Sequence, residues 1–255
     1  MKNILILGGA GFIGSNLALK LKVLGYNVTV FDNLSEQIHG IKPNETSPLY
    51  NSILNANIRF VLGSVTNKDD LIKIIEGQEI IVHLAAETGT GQSMYEIQKY
   101  VNVNIGGTGL LLDILTNNVH SVKKIIVASS RAIYGEGKYF CSKHDEVYPL
   151  LRDEINMLNG DYDCKCPICG GSVELKNTDE ESKIHPNSIY GITKQNQEQM
   201  IMLMGKTLSI PSVALRYQNV YGPGQSLSNP YTGILSIFSN LILSGKNINI
   251  FEDGK

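Results

Sequence analysis

The stretch "KNILILGGAGFIGSNLALKLKVLGYNVTVFDN" at the start of the chain leaves it few ways to fold. A short apolar run enters a glycine-rich turn, an amphipathic stretch follows, and a second apolar run ends at Asp32. That succession predicts a β-α-β unit. Similar runs recur from Ile58 to Leu62, Ile80 to Leu84 and Ile125 to Ala128, separated by helical stretches such as Asp69 to Glu76 and Ile105 to Leu115. Their apolar residues are continuous rather than alternating, so both faces of each strand are expected to be buried. A parallel sheet covered by helices follows.

Order returns near the other end with a helix from about Ser188 to Lys206, a strand from Ser212 to Arg216 and the turn "YGPG". A helix near Thr232 to Gly245 and a strand at "INIF" are expected next. With 255 residues, 42% of them hydrophobic, the chain can bury a substantial core. The fold predicted is α/β, a doubly wound parallel sheet of the Rossmann kind over residues 1–255. Residues 219–255 are expected to begin a substrate-binding part. The chain stops straight after the "INIF" strand, which reads as a truncated substrate subdomain.

Between residues 136 and 186 the rhythm breaks: the segment is polar, lacks strand-helix alternation and holds all 4 cysteines. We read it as an insertion. "CSKH" offers Cys141 and His144, and "CPIC" offers Cys166 and Cys169, two pairs separated by about twenty residues, a spacing that suits structural zinc. The predicted shell is those four residues in a small zinc-ribbon-like loop, with Cys164 as an alternative to His144. A closed shell has no open position for water, so the metal is expected to order the loop rather than to catalyse.

A formal net charge of -2 with both signs interspersed gives no field that recruits nucleic acid or an anionic membrane. No apolar run is long enough to span a bilayer and no cleavable leader is evident, so a cytoplasmic location is expected.

Gly8, Gly11 and Gly14 form G-x-x-G-x-x-G between the first strand and helix. The first permits a tight turn, the second lets backbone approach a pyrophosphate, and the third lets the helix pack against the sheet. Asp32 ends the second strand, where a carboxylate accepts ribose hydroxyls and repels a 2′-phosphate, so NAD is expected over NADP. Tyr190 and Lys194, in Y-x-x-x-K, share a helix face, and an ammonium beside a phenol favours its ionised form. Ser129 and Ser130 end the strand "KIIVASS", at the edge where ligands of such sheets bind.

Together "GGAGFIG", "HLAA", "VNVNIGGT", "SSRAIYG", "YGITK" and "RYQNVYGPG" resemble the extended short-chain dehydrogenase/reductase family, of the nucleotide-sugar epimerase and dehydratase kind. The resemblance implies Tyr190 as acid/base, Lys194 holding the nicotinamide ribose, and Ser130 bonding the reacting oxygen. It implies a cofactor lined by Phe12, Ile13, Asn33, Ser64, Val65, Leu84, Ala85, Ala86, Asn104, Ser129 and Tyr217 as well. Thr88, Ser130, Arg131 and Asn219 are implied to meet a nucleotide-diphosphate sugar, and a homodimer is implied through helices beginning near Val101 and Tyr190.

Leu7 stands where the family usually has threonine, and Ser64 where an aspartate usually contacts adenine. The family's 4,6-dehydratases carry an Asp-Glu pair after the catalytic hydroxyl; Arg131 and Ala132 occupy those positions here. A 4-epimerase working through a transient 4-keto sugar needs no such pair, and "AAETGTGQSMYE" and "NPYTGILSIF" resemble a bacterial subgroup that includes epimerases of dTDP-L-rhamnose. A nucleotide-sugar 4-ketoreductase, dehydrogenase or dehydratase, and a catalytically silent NAD-sensing interaction protein, are the competing expectations.

Overall fold

The computed structural model describes residues 2–225, 233–250, 252 and 254. The opening segment forms β1 (Asn3–Leu7), α1 (Phe12–Val23) and β2 (Asn27–Asp32), as its pattern predicts. Short helices α2 (Glu36–His39), α3 (Pro43–Thr46) and α4 (Pro48–Asn55) lead to β3 (Arg59–Leu62), α5 (Lys68–Ile75) and β4 (Ile80–His83). After α6 (Thr90–Ser93) and α7 (Ile97–Tyr100), a π-helical turn (Val101–Gly106) runs into α8 (Gly107–Asn117). Then come β5 (Lys124–Ser130) and a 3-10 turn (Arg131–Tyr134). The insertion contributes β6 (Tyr139–Cys141), β7 (Asp145–Val147), α9 (Glu154–Leu158) and β8 (Glu174–Leu175). The chain returns through α10 (Ile189–Thr207), β9 (Ser212–Tyr217) and α11 (Ile234–Leu243).

Among the described residues the main sheet has the order β3-β2-β1-β4-β5-β9, and every pairing is parallel. Side chains alternate across it. Leu5, Leu7, Ile81, Ile125 and Val127 pack with Leu71 of α5, Leu111 of α8 and Ile201 of α10 on one face. Ile4, Ile6, Val28, Val30 and Val82 pack with Ala18 of α1 and Ile53 of α4 on the other. Both faces of the central strands are therefore covered, the physical reason their apolar runs are continuous.

Two expectations fail. No strand forms at residues 248–250, and residue 251 of "INIF" lies outside the described residues. Thr232, expected to open the following helix, and residues 229–231 of "NPYTGILSIF" also lie outside the described residues. The insertion is more regular than its sequence suggests: β6 pairs antiparallel with β7 and β8, and an isolated bridge joins Lys165 to Ser172.

Candidate active site

The sheet order reverses direction between β1 and β4, which opens a crevice beyond the carboxyl ends of the strands. Gly8 sits at its floor with φ of 75°, and a Cβ there would stand 2.6 Å from the Ala85 backbone nitrogen. The turn and the half-buried segment Leu84, Ala85 and Ala86 after β4 thus close on each other. Gly14 lets α1 seat on the turn, since its Cβ would meet the Gly8 carbonyl at 2.6 Å.

Gly11 differs. A Cβ there would touch only the Gly8 carbonyl, at an ordinary 3.5 Å, so no protein neighbour demands glycine at that position. No side chain caps the start of α1, where Phe12 and Ile13 are half-buried, and its first-turn N–H groups suit an anion such as a pyrophosphate.

Asp32 is buried; one oxygen accepts from Ala10 N at 3.0 Å and the other from Leu34 N at 2.9 Å. It braces the glycine turn and retains lone pairs for hydroxyl donors. Asn33 is exposed and accepts from Ser35 N. Buried His39, absent from the sequence reading, places Nε2 3.8 Å from Asp32; burial lowers its pKa while Asp32 opposes that shift. Gln37 and Gln92 exchange two hydrogen bonds of 3.1 and 3.0 Å, linking the loop after β2 to the loop after β4.

Ser64 and Val65, expected on the adenine side, both make contacts within the protein. The Ser64 hydroxyl is 2.8 Å from that of Thr66, closing its own turn, while its N–H donates to Asp70. Val65 is buried in the core, where its side chain fills the space above Gly107. Only the backbone of Val65 remains for a ligand.

At the end of β5 the two serines part ways. Ser130 Oγ accepts from Ala132 N at 3.1 Å, and its hydroxyl favours the ionised form of the neighbouring Tyr190 phenol. Ser129 is buried, and its hydroxyl has no hydrogen-bond partner among the described residues, which suits an absent ligand group.

The register of the helix fixes the rest. Ser188 caps α10 by accepting from Gly191 N, and a Cβ on Gly191 would stand 2.6 Å from the Ala132 carbonyl. That close approach brings Tyr190 to Ser130. Ser93 secures the same turn by accepting from Tyr190 N at 3.0 Å, and the Tyr100 and Tyr190 rings meet edge to face.

Burial holds the Tyr190 pKa above its ordinary value, against the neighbouring Ser130 hydroxyl and the charge of exposed Arg131. Lys194 is buried, its Nζ donates to Gln197 at 2.8 Å, and desolvation lowers its pKa to about 7. An ammonium in so dry a position has hydrogens to offer a ribose. Tyr217 lies beside Ser130 in the β5–β9 register, half-buried with a raised pKa, whereas Asn219 is exposed beyond it.

Asn104, expected to line the cofactor, braces the elements around it. It is fully buried; its amide donates to the Glu87 carbonyl and Thr193 Oγ1 and accepts from Glu87 N, tying the π-turn to the loop after β4 and to α10. Thr88 in that loop is half-buried, and its carbonyl accepts from Tyr100.

In the insertion, ligand atoms of Cys141, His144, Cys166 and Cys169 all lie within 4.8 Å of one another. Cys141 and Cys166 sulfurs are each 3.6 Å from His144 Nδ1, and the Cys141 and Cys169 sulfurs are 3.9 Å apart. Burial works against a Cys166 thiolate, yet N–H groups of Cys169 and Ile168 and the neighbouring thiols bring its pKa down to about 6. Cys164, the alternative to His144, lies outside this group and faces Glu136 at 3.8 Å, and burial raises its pKa.

The chain matches the model of the "NAD dependent epimerase/dehydratase family" over residues 4–153 and 167–255, so residues 154–166 of the insertion fall outside the match. It is 38% identical to a dTDP-L-rhamnose 4-epimerase of Burkholderia thailandensis, over 99% of this chain and 67% of the relative. A UDP-glucose 4-epimerase of Thermotoga maritima solved with UDP-glucose superposes with a TM-score of 0.74 at 31% identity, over 99% of this chain and 66% of that one. A UDP-glucuronic acid 4-epimerase of Bacillus cereus, solved with UDP-glucuronic acid and NAD, gives 0.71 at 25% identity, covering 99% and 66%. The chain thus spans about two thirds of the length of these proteins.

Proposed function

The chain belongs to the NAD dependent epimerase/dehydratase family, and from that premise we propose that it works as an NAD-dependent 4-epimerase of a nucleotide-diphosphate sugar. A dTDP- or UDP-hexose is the substrate class, with dTDP-L-rhamnose favoured by the relative at 38% identity. The observation that carries the reading is the placement of Tyr190 beside Ser130 at the carboxyl end of β5, where Gly191 lets α10 close on the Ala132 carbonyl, with buried Lys194 one turn along the same helix.

In this reading Tyr190 takes the proton of the C4 hydroxyl and returns it, while Ser130 holds the same oxygen. Arg131 favours the ionised phenol. Lys194 holds ribose hydroxyls of the cofactor, Gly11 and the start of α1 hold its pyrophosphate, and Asp32 holds the adenosine ribose. Bound NAD supplies a reversible hydride acceptor at C4, which makes the intermediate a 4-keto sugar. Elimination of water lacks its carboxylates, since Arg131 and Ala132 stand where a dehydratase pair would be.

Incubation with NAD and dTDP- or UDP-hexoses, followed by NMR at C4, tests the reaction. Epimer without net NADH is expected; stoichiometric NADH formation or consumption would replace the epimerase by a reductase or dehydrogenase.

Three further elements belong to the same reading. Cys141, His144, Cys166 and Cys169 hold a structural zinc, because tetrahedral coordination with Zn–S near 2.3 Å sets sulfurs about 3.8 Å apart, close to the 3.9 Å found. The site makes the insertion a separately ordered unit of the domain. A homodimer forms through the faces of α7, the π-turn and α10, where Ile97, Val101, Ile192 and Leu203 are exposed; a monomer in light scattering would remove it. No helix among the described residues is long and apolar enough to cross a membrane, which suits the cytoplasmic location expected for such an enzyme.

A further inference from the structure

The buried face of α10 carries Lys194, Gln197 and Ile201 at helical spacing. Ile201 lies in the hydrophobic core, and Gln197 has no exposed surface at all. An apolar residue at 197 would pack there without any polar group to satisfy, so a fully buried carboxamide calls for a reason.

Its hydrogen bonds supply one. Gln197 Oε1 accepts from Lys194 Nζ at 2.8 Å, and Gln197 Nε2 donates to Thr108 Oγ1 at 2.9 Å. The Thr108 hydroxyl donates its single proton to the Asn104 carbonyl at 2.6 Å, which leaves its oxygen only able to accept. It accepts from Gln197 and, at 3.0 Å, from His83 Nε2 on β4. His83 is thereby set as the Nε2–H tautomer, with Nδ1 unpartnered among the described residues. The direction of the Gln197 amide is fixed by the same logic: its nitrogen must face Thr108 and its oxygen must face Lys194.

We propose that Gln197 is a positioning residue for Lys194, its carboxamide oxygen, aimed by Thr108 and His83, anchoring the ammonium while leaving the positive charge unneutralised. A carboxylate at the same place would anchor it as well but would cancel the charge on which the cofactor hydroxyls draw. The inference rests on the reading of Tyr190 and Lys194 as the working pair.

Among the described residues Lys194 has no carboxylate partner, and Gln197 is its hydrogen-bond acceptor. Burial alone lowers the Lys194 pKa to about 7, and the field of Lys194 adds to burial in holding His83 neutral, near 3. Other titratable groups on the elements around α10 are Lys99 and Tyr100 of α7, Asp113 of α8, Lys124 of β5, Arg131 and Tyr134 of the 3-10 turn, and Arg216 and Tyr217 of β9. Glu198, the next residue on α10, is held by Arg216 at 2.7 Å and is thereby turned to β9.

The test is an NMR titration of lysine ε-carbons in the full chain, with the Lys194 signal assigned through K194R. Q197E, nearly isosteric, is expected to raise the Lys194 midpoint by about 1–3 pH units, as an opposite charge at contact does. Q197L, which removes the acceptor, is expected to lower it. In the turnover assay the alkaline limb of kcat should move in the same direction as each midpoint. A Lys194 midpoint equal in wild type and Q197E overturns the proposal, and that arm decides even where Q197L does not fold. A midpoint that moves while the alkaline limb of an active enzyme stays fixed overturns it too. Should the wild type turn over no sugar nucleotide, the epimerase reading fails while the titration still decides whether Gln197 anchors Lys194.

Discussion

The crevice above the main sheet and the inserted segment both gather reactive side chains, but by opposite means. Tyr190, Lys194, Gln197 and Asn104 are held by burial between α10, the π-turn and β5, with hydrogen bonds that cross 89 residues of sequence from Asn104 to Thr193 and from Thr108 to Gln197. The insertion has almost no core: Cys141, Val147 and Cys166 are its buried apolar cluster, and two of the three are themselves ligand candidates. Pre-organisation therefore comes from packing in one region, and in the other it falls to the Cys/His group itself.

Four perturbations break or sharpen that contrast. The largest effect is expected from Y190F, which keeps the packed crevice but removes the proton carrier: kcat should fall by about 10²–10⁴-fold with NAD still retained. Wild-type turnover in that variant would detach the chemistry from the crevice. Next comes C166S, which should take zinc content from one equivalent to none and abolish amide-exchange protection in β6 to β8. Protection in β1, β4 and β5 should persist; its loss would show that the two regions fold as one.

Leu111, buried against β5 and α10 in the main core, gives a smaller and purely thermodynamic readout. L111A should destabilise the domain by about 2–5 kcal/mol in denaturant titration without changing zinc content. The smallest effect belongs to the cap of α10. S188A should lose about 1 kcal/mol of stability, and because the cap sets the turn that carries Tyr190, kcat should fall more than KM rises; the reverse pattern would mean that the cap serves substrate binding alone.

Much of the crevice was legible in the sequence because its physics is periodic. Continuous apolar runs mark buried parallel strands, glycines at three-residue spacing mark the turn under α1, and a tyrosine and a lysine four apart mark one helix face. Ser129, expected at the cofactor, turned out to be the buried hydroxyl without a partner.

What stayed hidden depends on partners distant in sequence. Asn104 and Val65 sit in segments that do line the crevice, but the pattern cannot tell that the Asn104 amide bonds to Glu87 and Thr193, or that Val65 fills the space above Gly107. Gln197 and His83 were passed over for the same reason, although a histidine ending the apolar run "IIVH" was a signal. Gly191 reads as part of a motif, yet its need for a bare Cα comes from Ala132 in another element. In the insertion, strands of two and three residues are too short to display a period of two, so the small sheet was invisible while the cysteine spacing was plain.

The account stands or falls on whether C4 of the sugar is oxidised and reduced again at the Tyr190 crevice. A nucleotide hexose deuterated at C4, converted in ordinary water, decides it by mass spectrometry and NMR of the epimer. Direct transfer out and back predicts that the epimer keeps its deuterium at C4; replacement of that deuterium by solvent hydrogen would contradict the account.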